Sequence, residues 1–216
     1  MKLSKILAPL LALCLFASTA CASTFIDAHG NEIQLDDSLE AYAAVTLVGA
    51  NDAARQGETN LGDLWTDALR WFAVSGEINA AFDEDDVKAG NDHIAVDADH
   101  VVALWNGGNL RADIAEGTFG AEALAEVLPF PNKVAVVYMS GAQLLEALEA
   151  ASQALPYTAE TADACASLMQ VSGLTYTVDT AKAYDALEAY GDHWFTAGSV
   201  SRVSISDVNG QPFDET

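Results

Sequence analysis

Two stretches of this chain carry apolar residues at three- and four-residue steps. Leu61, Leu64, Trp65, Ala68, Leu69 and Phe72 follow Thr59 and Asn60, either of which can cap a helix; Leu144, Leu145, Ala147, Leu148 and Ala151 follow Ser140. This spacing lays one apolar stripe along a helical period, and a hydroxyl or amide just ahead of it satisfies backbone N–H groups of the first turn. Both stretches therefore predict helices. A shorter helix is predicted over Ala121–Val127 and stops at Leu128-Pro129, since the residue before a proline is pushed out of helical conformation.

Elsewhere the apolar positions alternate or run together. They predict strands over 43–48, 101–105, 133–139, 171–178 and 200–205, with Gly173 inside the fourth. The run 101–105 is almost continuously apolar and is expected to be buried on both faces. Residues 25–35 read as a small hairpin around Asp27-Ala28-His29-Gly30-Asn31, residues 49–57 as a loop, and Asn209-Gly210 as a turn. Helices and strands mix without strict alternation, which indicates an α+β fold, a mixed α/β single domain.

Composition sharpens this picture. A chain of 216 residues that is 51% hydrophobic can bury one real core. Nine basic residues against 32 acidic ones give a formal charge of -23, which excludes nucleic-acid binding by phosphate neutralisation and disfavours an anionic membrane surface. Lys2 and Lys5 precede an apolar stretch over 6–17, the layout of a signal segment, taken as 1–22. Ala20-Cys21-Ala22 fits a cleavage site; Ser18-Thr19-Ala20-Cys21 fits a lipoprotein box without its usual leucine. Both exits stand, so the expected destination is outside the cytoplasm, as a secreted, periplasmic or lipid-anchored surface protein, with membrane attachment only through a lipid on Cys21. Residues 23–43 then form an N-terminal extension and 44–216 the domain. Cys165 is left as a lone buried thiol. The acidic stretch Asp83-Glu84-Asp85-Asp86 has Val87 where a calcium loop needs its fifth-position oxygen, so it reads as a solvated loop.

Four short segments could carry chemistry. Asn106-Gly107-Gly108-Asn109-Leu110-Arg111 ends the strand 101–105 with residues that pack no core. Glycines permit close backbone approach, asparagine offers a donor and an acceptor, and arginine offers a rigid fork; the alternative is a plain turn with a surface arginine. Arg55-Gln56-Gly57-Glu58-Thr59-Asn60-Leu61-Gly62 is a loop and helix cap. Phe130 stands between Pro129 and Pro131, just before Asn132, where a stiff loop could present a ring for stacking. Gln170-Val171-Ser172-Gly173 has a glycine that admits a ligand or marks a bulge.

In this order the four segments resemble the C-terminal domain of the 5′-nucleotidase / UDP-sugar hydrolase family. The resemblance rests on an Arg-x-x-Glu-x-Asn-x-Gly block (Arg55, Glu58, Asn60, Gly62), on Asn106 to Arg111, on Leu128-Pro129-Phe130-Pro131-Asn132 and on Gln170 to Gly173, and it covers about 44–214. It implies a domain that recognises the nucleoside part of a nucleotide. Phe130 would stack on the base, Arg55 and Arg111 would bind ribose hydroxyls and nearby groups, Asn106 and Asn132 would hydrogen-bond base or sugar across Gly107 and Gly108, and Gly173 would line the pocket.

The departures shape the functional expectation. Asn109 replaces the third glycine of its motif. The chain ends before the family's second stacking phenylalanine and its Gly-Gly-Asp-Gly segment, so the domain is expected to be incomplete at its C-terminal end. The family's two-metal phosphoesterase domain has no counterpart: Asp27-Ala28-His29-Gly30 matches one of its metal motifs in isolation and reads as a hairpin turn. Catalytic residues, metal ligands and cofactors are therefore expected to be absent from this chain, with the divalent metal pair on a separate metallophosphoesterase chain. Two alternatives stand beside the binding module: a metal-dependent nucleotide phosphohydrolase in its own right, and a vestigial interaction domain.

Overall fold

A computed structural model describes residues 22–26, 32–36, 40–82, 87–88, 90, 93–189 and 196–215. The signal segment to Cys21, the Asp27-Ala28-His29-Gly30-Asn31 turn and the acidic stretches Asp83-Glu84-Asp85-Asp86 and Asn91-Asp92 lie outside these residues. The elements run β1 (Ala22–Ile26), β2 (Glu32–Asp36), β3 (Glu40–Ala43), α1 (Asn51–Ala54), α2 (Asn60–Val74), β4 (Ala103–Asn106), β5 (Gly117–Gly120), α3 (Ala121–Val127), α4 (Gly141–Ala151), β6 (Met169–Ser172), β7 (Leu174–Val178), β8 (Ala186–Ala189), β9 (Thr196–Gly198), β10 (Val203–Val208) and β11 (Gln211–Pro212). Single 3-10 turns at Glu77–Ala81, Gly107–Asn109 and Ala164–Ser167 complete the series. The fold is α+β. Its strands pair antiparallel as β1-β2, β3-β5, β4-β6, β8-β9 and β11-β10-β7.

The helices begin where their caps place them. Thr59 accepts a hydrogen bond from Gly62 N at the start of α2. Ser140 and Gln143 cap α4 reciprocally, each side chain bonding the other's backbone N–H. Asn209 and Gly210 have φ of 51° and 79°, the consecutive positive values that turn β10 into β11.

The β4-β6 pair divides two cores. Trp105 packs with Leu47, Ala54, Leu61, Leu110, Ile114, Phe119 and Val127. Its neighbour Leu104 packs on the other side with Leu144, Leu145, Leu148, Leu174 and Val203, as strand alternation requires. Fully burying residues such as Leu110 and Leu148 is worth about 1.5–3 kcal/mol each. The second core is closed by a buried junction in which two charged side chains bond backbone groups. The Glu149 carboxylate accepts from Arg202 N and Val203 N, while the Arg202 guanidinium donates to the carbonyls of Ser152, Gln153 and Leu155 beyond the end of α4. Both residues are almost wholly buried, so this junction ties α4 to β10.

Several elements differ from the sequence expectation. Pairing over 43–48 shifts to Glu40–Ala43, opposite β5, and Leu47 forms an isolated bridge to Ile114. β3 thus lies N-terminal to residue 44 yet is laddered to the body of the domain. The strand 101–105 is half-buried rather than sealed on both faces. Residues 171–178 are two strands, because Gly173 takes φ of 83° and breaks the ladder between β6 and β7. The last long strand moves from 200–205 to Val203–Val208, since Arg202 is held in the buried junction. The loop 49–57 contains α1. No strand forms over 133–139: this apolar run finds no ladder partner among the described residues.

Candidate nucleoside site

The site grows from the C-terminal end of β4. Gly107 N donates to Leu168 O at 2.7 Å and Leu110 N to Gly107 O at 3.1 Å, which closes the Gly107–Asn109 turn and drives Leu110 into the first core. A Cβ on Gly107 would collide with the Ala54 carbonyl, and one on Gly108 with Ala166. The two glycines are thus required by the chain's own packing: they let the turn nest between α1 and the Ala164–Ser167 turn.

Arg111 emerges from this turn. Its N–H donates to Val127 O at 2.9 Å, which moors it to the end of α3, and α3 leads directly into Leu128-Pro129-Phe130. This bond brings Arg111 and Phe130 together. The guanidinium carbon stands 5.7 Å from the Phe130 ring centroid, and Nη1 donates to Gly108 O at 3.1 Å. Phe130 is 47% exposed, and Arg111 is exposed as well. A guanidinium at this distance over an aromatic face is a cation–π pair. Asn132 N donates to Phe130 O at 2.8 Å, so Asn132 sits on the same exposed loop.

Arg55 and Asn106 are held differently. Arg55 Nη1 donates to Ala162 O at 2.8 Å and reaches Asp163 Oδ1 at 3.3 Å. Its Nε is buried and has no hydrogen-bond partner among the described residues. Asn106 Nδ2 donates to Ala166 O at 3.2 Å. Both side chains therefore give a donor to the segment from Tyr157 to Ser167. That segment is also anchored on α1, where Tyr157 Oη donates to Asp52 Oδ1 at 2.8 Å. The bond to Asp52 raises the Tyr157 phenol above its usual pKa.

Gly173 lies apart. Register places Ala103 opposite Ser172 and Asn106 opposite Met169, so Gly173 lies just past the far end of the β4-β6 pair from Asn106, roughly 13 Å away along the strand at about 3.3 Å per residue. A Cβ there would meet Arg70 Nε, Asn209 Oδ1 and Val101 O at 2.8 to 2.9 Å. The structure brings Arg111, Phe130 and Asn132 together beside the Asn106-Gly107-Gly108 shoulder, places Arg55 across the Tyr157–Ser167 segment, and leaves Gly173 outside the group.

Other motif residues serve as framework. Gln170 is buried; its Oε1 accepts from Thr59 N at 3.0 Å and Thr59 Oγ1 at 3.3 Å, and its Nε2 donates to Ala54 O at 3.1 Å and Gly57 O at 2.9 Å. It thereby pins the loop that carries Arg55. Gly62 is required because a Cβ would collide with the Gln170 amide. Asn60 bridges Val48 N and Thr46 O as a strand partner would. Asp113, two residues past Arg111, accepts from Gly49 N and Ala50 N at 2.8 Å. The Ala50 and then the Gly49 bond hold its carboxyl below the usual pKa. Sequence reasoning assigned Asp113 no role; an acidic residue following an exposed arginine reads as surface until its distant loop partner is seen. Among the described residues, no three His, Cys, Asp or Glu side chains gather into a group that could hold a metal ion. No described helix is long and apolar enough to cross a membrane.

Comparison with known proteins bears on this geometry. The profile of the 5′-nucleotidase, C-terminal domain, matches residues 27–216. The trifunctional nucleotide phosphoesterase protein YfkN of Bacillus subtilis (strain 168) is 28% identical over 153 residues, which is 70% of this chain and 9% of YfkN. A 5′-nucleotidase precursor from Thermus thermophilus is 27% identical in a solved structure, covering 77% of this chain and 28% of that one, with a TM-score of 0.49. The chain thus spans a small part of the length of each relative. The profile match takes in all four motif segments, and on it the chain belongs to the 5′-nucleotidase C-terminal domain family.

Proposed function

We propose that this chain recognises the nucleoside portion of a nucleotide outside the cytoplasm and contributes to nucleotide hydrolysis and catabolism together with a separate metallophosphoesterase unit. The observation that carries this reading is the Arg111–Phe130 pair, an exposed ring and a guanidinium moored side by side with Asn132 on the same loop. An exposed aromatic face suits a nucleobase, because stacking removes apolar surface of both rings from water. Arg111 uses Nη1 on Gly108 O and has further donors for ribose hydroxyls. Asn132 and Asn106 supply the mixed donor and acceptor edge that a base or sugar needs. In this reading Arg55 takes part once the Tyr157–Ser167 segment yields its hydrogen bond. Family membership supports a nucleotide as the ligand. The proposal places the divalent metal pair on the other unit and derives no hydrolytic step here. Export through the signal segment, with or without a lipid on Cys21, belongs to the same proposal.

The test is calorimetric titration of the exported chain with adenosine, AMP and UDP-glucose, beside an Arg111→Ala, Phe130→Ala variant. Saturable binding is expected for the native chain. Loss of the stack alone should cost about 1–3 kcal/mol, or about 5- to 150-fold in affinity. Silence from both chains, with folded circular-dichroism spectra, would overturn the reading in favour of a vestigial interaction domain. Divalent-metal-dependent release of phosphate from AMP by the chain alone would replace it with a phosphohydrolase in its own right.

A further inference from the structure

The stretch from Pro156 to Asp163 forms a short strap between two fixed ends. On one side the buried Arg202 guanidinium holds the carbonyls of Ser152, Gln153 and Leu155. On the other, the Ala164–Ser167 turn is wedged against Gly108 and tied down by Ser167 Oγ, which donates to Ala151 O at 2.6 Å. The strap is folded on itself: Thr161 Oγ1 accepts from Thr158 N at 2.8 Å and donates to Pro156 O at 2.9 Å. It is latched to the turn of chain that carries Arg55. Tyr157 Oη donates to Asp52 Oδ1 at 2.8 Å, while the Ala162 carbonyl and the Asp163 carboxylate accept from Arg55 Nη1 at 2.8 and 3.3 Å. Asp52 and Arg55 are three residues apart and so lie on one face of α1 and its end. The strap occupies Arg55 without satisfying it, since Arg55 Nε is buried and has no partner among the described residues. A buried donor without an acceptor is costly, and a ligand oxygen would supply the acceptor that the strap does not.

We propose that this strap is an autoinhibitory latch: docked, it takes the ligand's place on Arg55, and nucleoside binding releases it. The inference rests on the nucleoside reading above, in which Arg55 binds ribose hydroxyls. The Ala162 carbonyl and the Asp163 carboxylate are oxygen acceptors on a guanidinium, as ribose hydroxyl oxygens would be, so strap and ligand compete for the same donors. Tyr157 is the catch. Its bond to Asp52 uses no group assigned to the ligand, yet it holds the strap where Ala162 and Asp163 reach Arg55. A site that is closed most of the time binds with an affinity reduced by its open fraction. Weakening the catch therefore raises affinity, the opposite of what loss of a scaffold bond does.

Calorimetric titration with adenosine tests it, comparing the exported chain with a Tyr157→Phe, Asp163→Asn variant. Adenosine carries no charge, so loss of the Asp163 charge does not itself attract it. The variant keeps Arg55 and the Arg111–Phe130 pair and should bind about fivefold tighter or more. A second readout needs no variant. Cys165 is buried, and its Sγ donates to Thr161 Oγ1 at 3.8 Å, so a lifted strap uncovers the thiol. Saturating adenosine should speed the labelling of Cys165 by a small thiol reagent severalfold; binding beside a fixed strap would slow it or leave it unchanged. The variant should label faster even without adenosine. Circular dichroism checks that it folds, and should it not, the labelling of the native chain decides. Adenosine bound equally or less tightly by a folded variant overturns the latch and leaves the nucleoside reading standing. So does binding by the native chain without faster labelling of Cys165. Binding by neither form overturns the nucleoside reading and the latch with it, whereas binding by the variant alone supports both.

Discussion

Gly62→Ala offers a sharp test of how the scaffold holds the site. In a helix, alanine for glycine ordinarily stabilises by up to about 1 kcal/mol. Here the added Cβ would collide with the Gln170 side chain, whose amide is held by Thr59, Ala54 and Gly57. The amide must be displaced, and the Thr59 N–H and the two carbonyls lose their partner in a buried place. At about 1 kcal/mol for each group left unpaired, Gly62→Ala should destabilise by roughly 2–3 kcal/mol in spite of its helix propensity. Gln170→Ala should cost roughly 3–4 kcal/mol, since it adds a small cavity to the same losses. The double variant is the informative one. With the Gln170 amide gone, the Gly62 methyl enters vacated space, so Gly62→Ala in that background should be neutral or stabilising. The expected coupling is about 3 kcal/mol, at the top of the range for residues in contact. Urea unfolding followed by circular dichroism, with slopes checked for constancy, measures all four corners of the cycle. If Gly62→Ala costs the same with and without the Gln170 amide, the reasoning is refuted and Gly62 serves some purpose other than fitting Gln170.

Two further outcomes follow from buried groups. Glu149→Ala removes the acceptor of Arg202 N and Val203 N and leaves two buried backbone N–H groups unpaired; at about 1–3 kcal/mol for each, a loss of about 2–5 kcal/mol is expected, visible as a drop in thermal midpoint without loss of the Arg111–Phe130 site's ligand response at low temperature. Tyr176 donates to Met169 O at 2.7 Å, and burial first, then the Glu58 charge, pushes its phenol from 10.0 up to about 12. A group raised in this way adds stability that is present below pH 10 and is lost as pH climbs towards 12. About 2–3 kcal/mol should disappear across that window, and denaturant titrations of Tyr176→Phe should show a flatter alkaline limb there.

Much of the fold is legible along the chain. Thr59 and Ser140 cap the helices that follow them, the stripes from Leu61 and Leu144 face the two cores, and Asn209-Gly210 makes its hairpin. Each of these is settled by neighbours within a turn or two, so period and cap chemistry suffice. The order of the four motifs likewise points to the family without any coordinates.

The site required distant contacts. Gly107 and Gly108 look in sequence like room for a ligand, but the tertiary structure fills that room with Ala54 and Ala166. Arg111 and Phe130 become neighbours only because Arg111 N reaches Val127 O across the intervening β5 and α3. Gln170 looks like one more motif position, yet it holds the Arg55 loop from more than a hundred residues away. Gly173 shares a motif with Gln170, and its positive φ turns the chain away at the other end of the strand pair. The tract 133–139 has every local mark of a strand and still finds no ladder partner among the described residues, since a strand also needs an edge to pair with. The sequence by itself determined periods, caps and turns, which are energies of adjacent residues. Only the tertiary structure decided which backbone groups and side chains meet, because those pairings depend on where the rest of the chain has already packed.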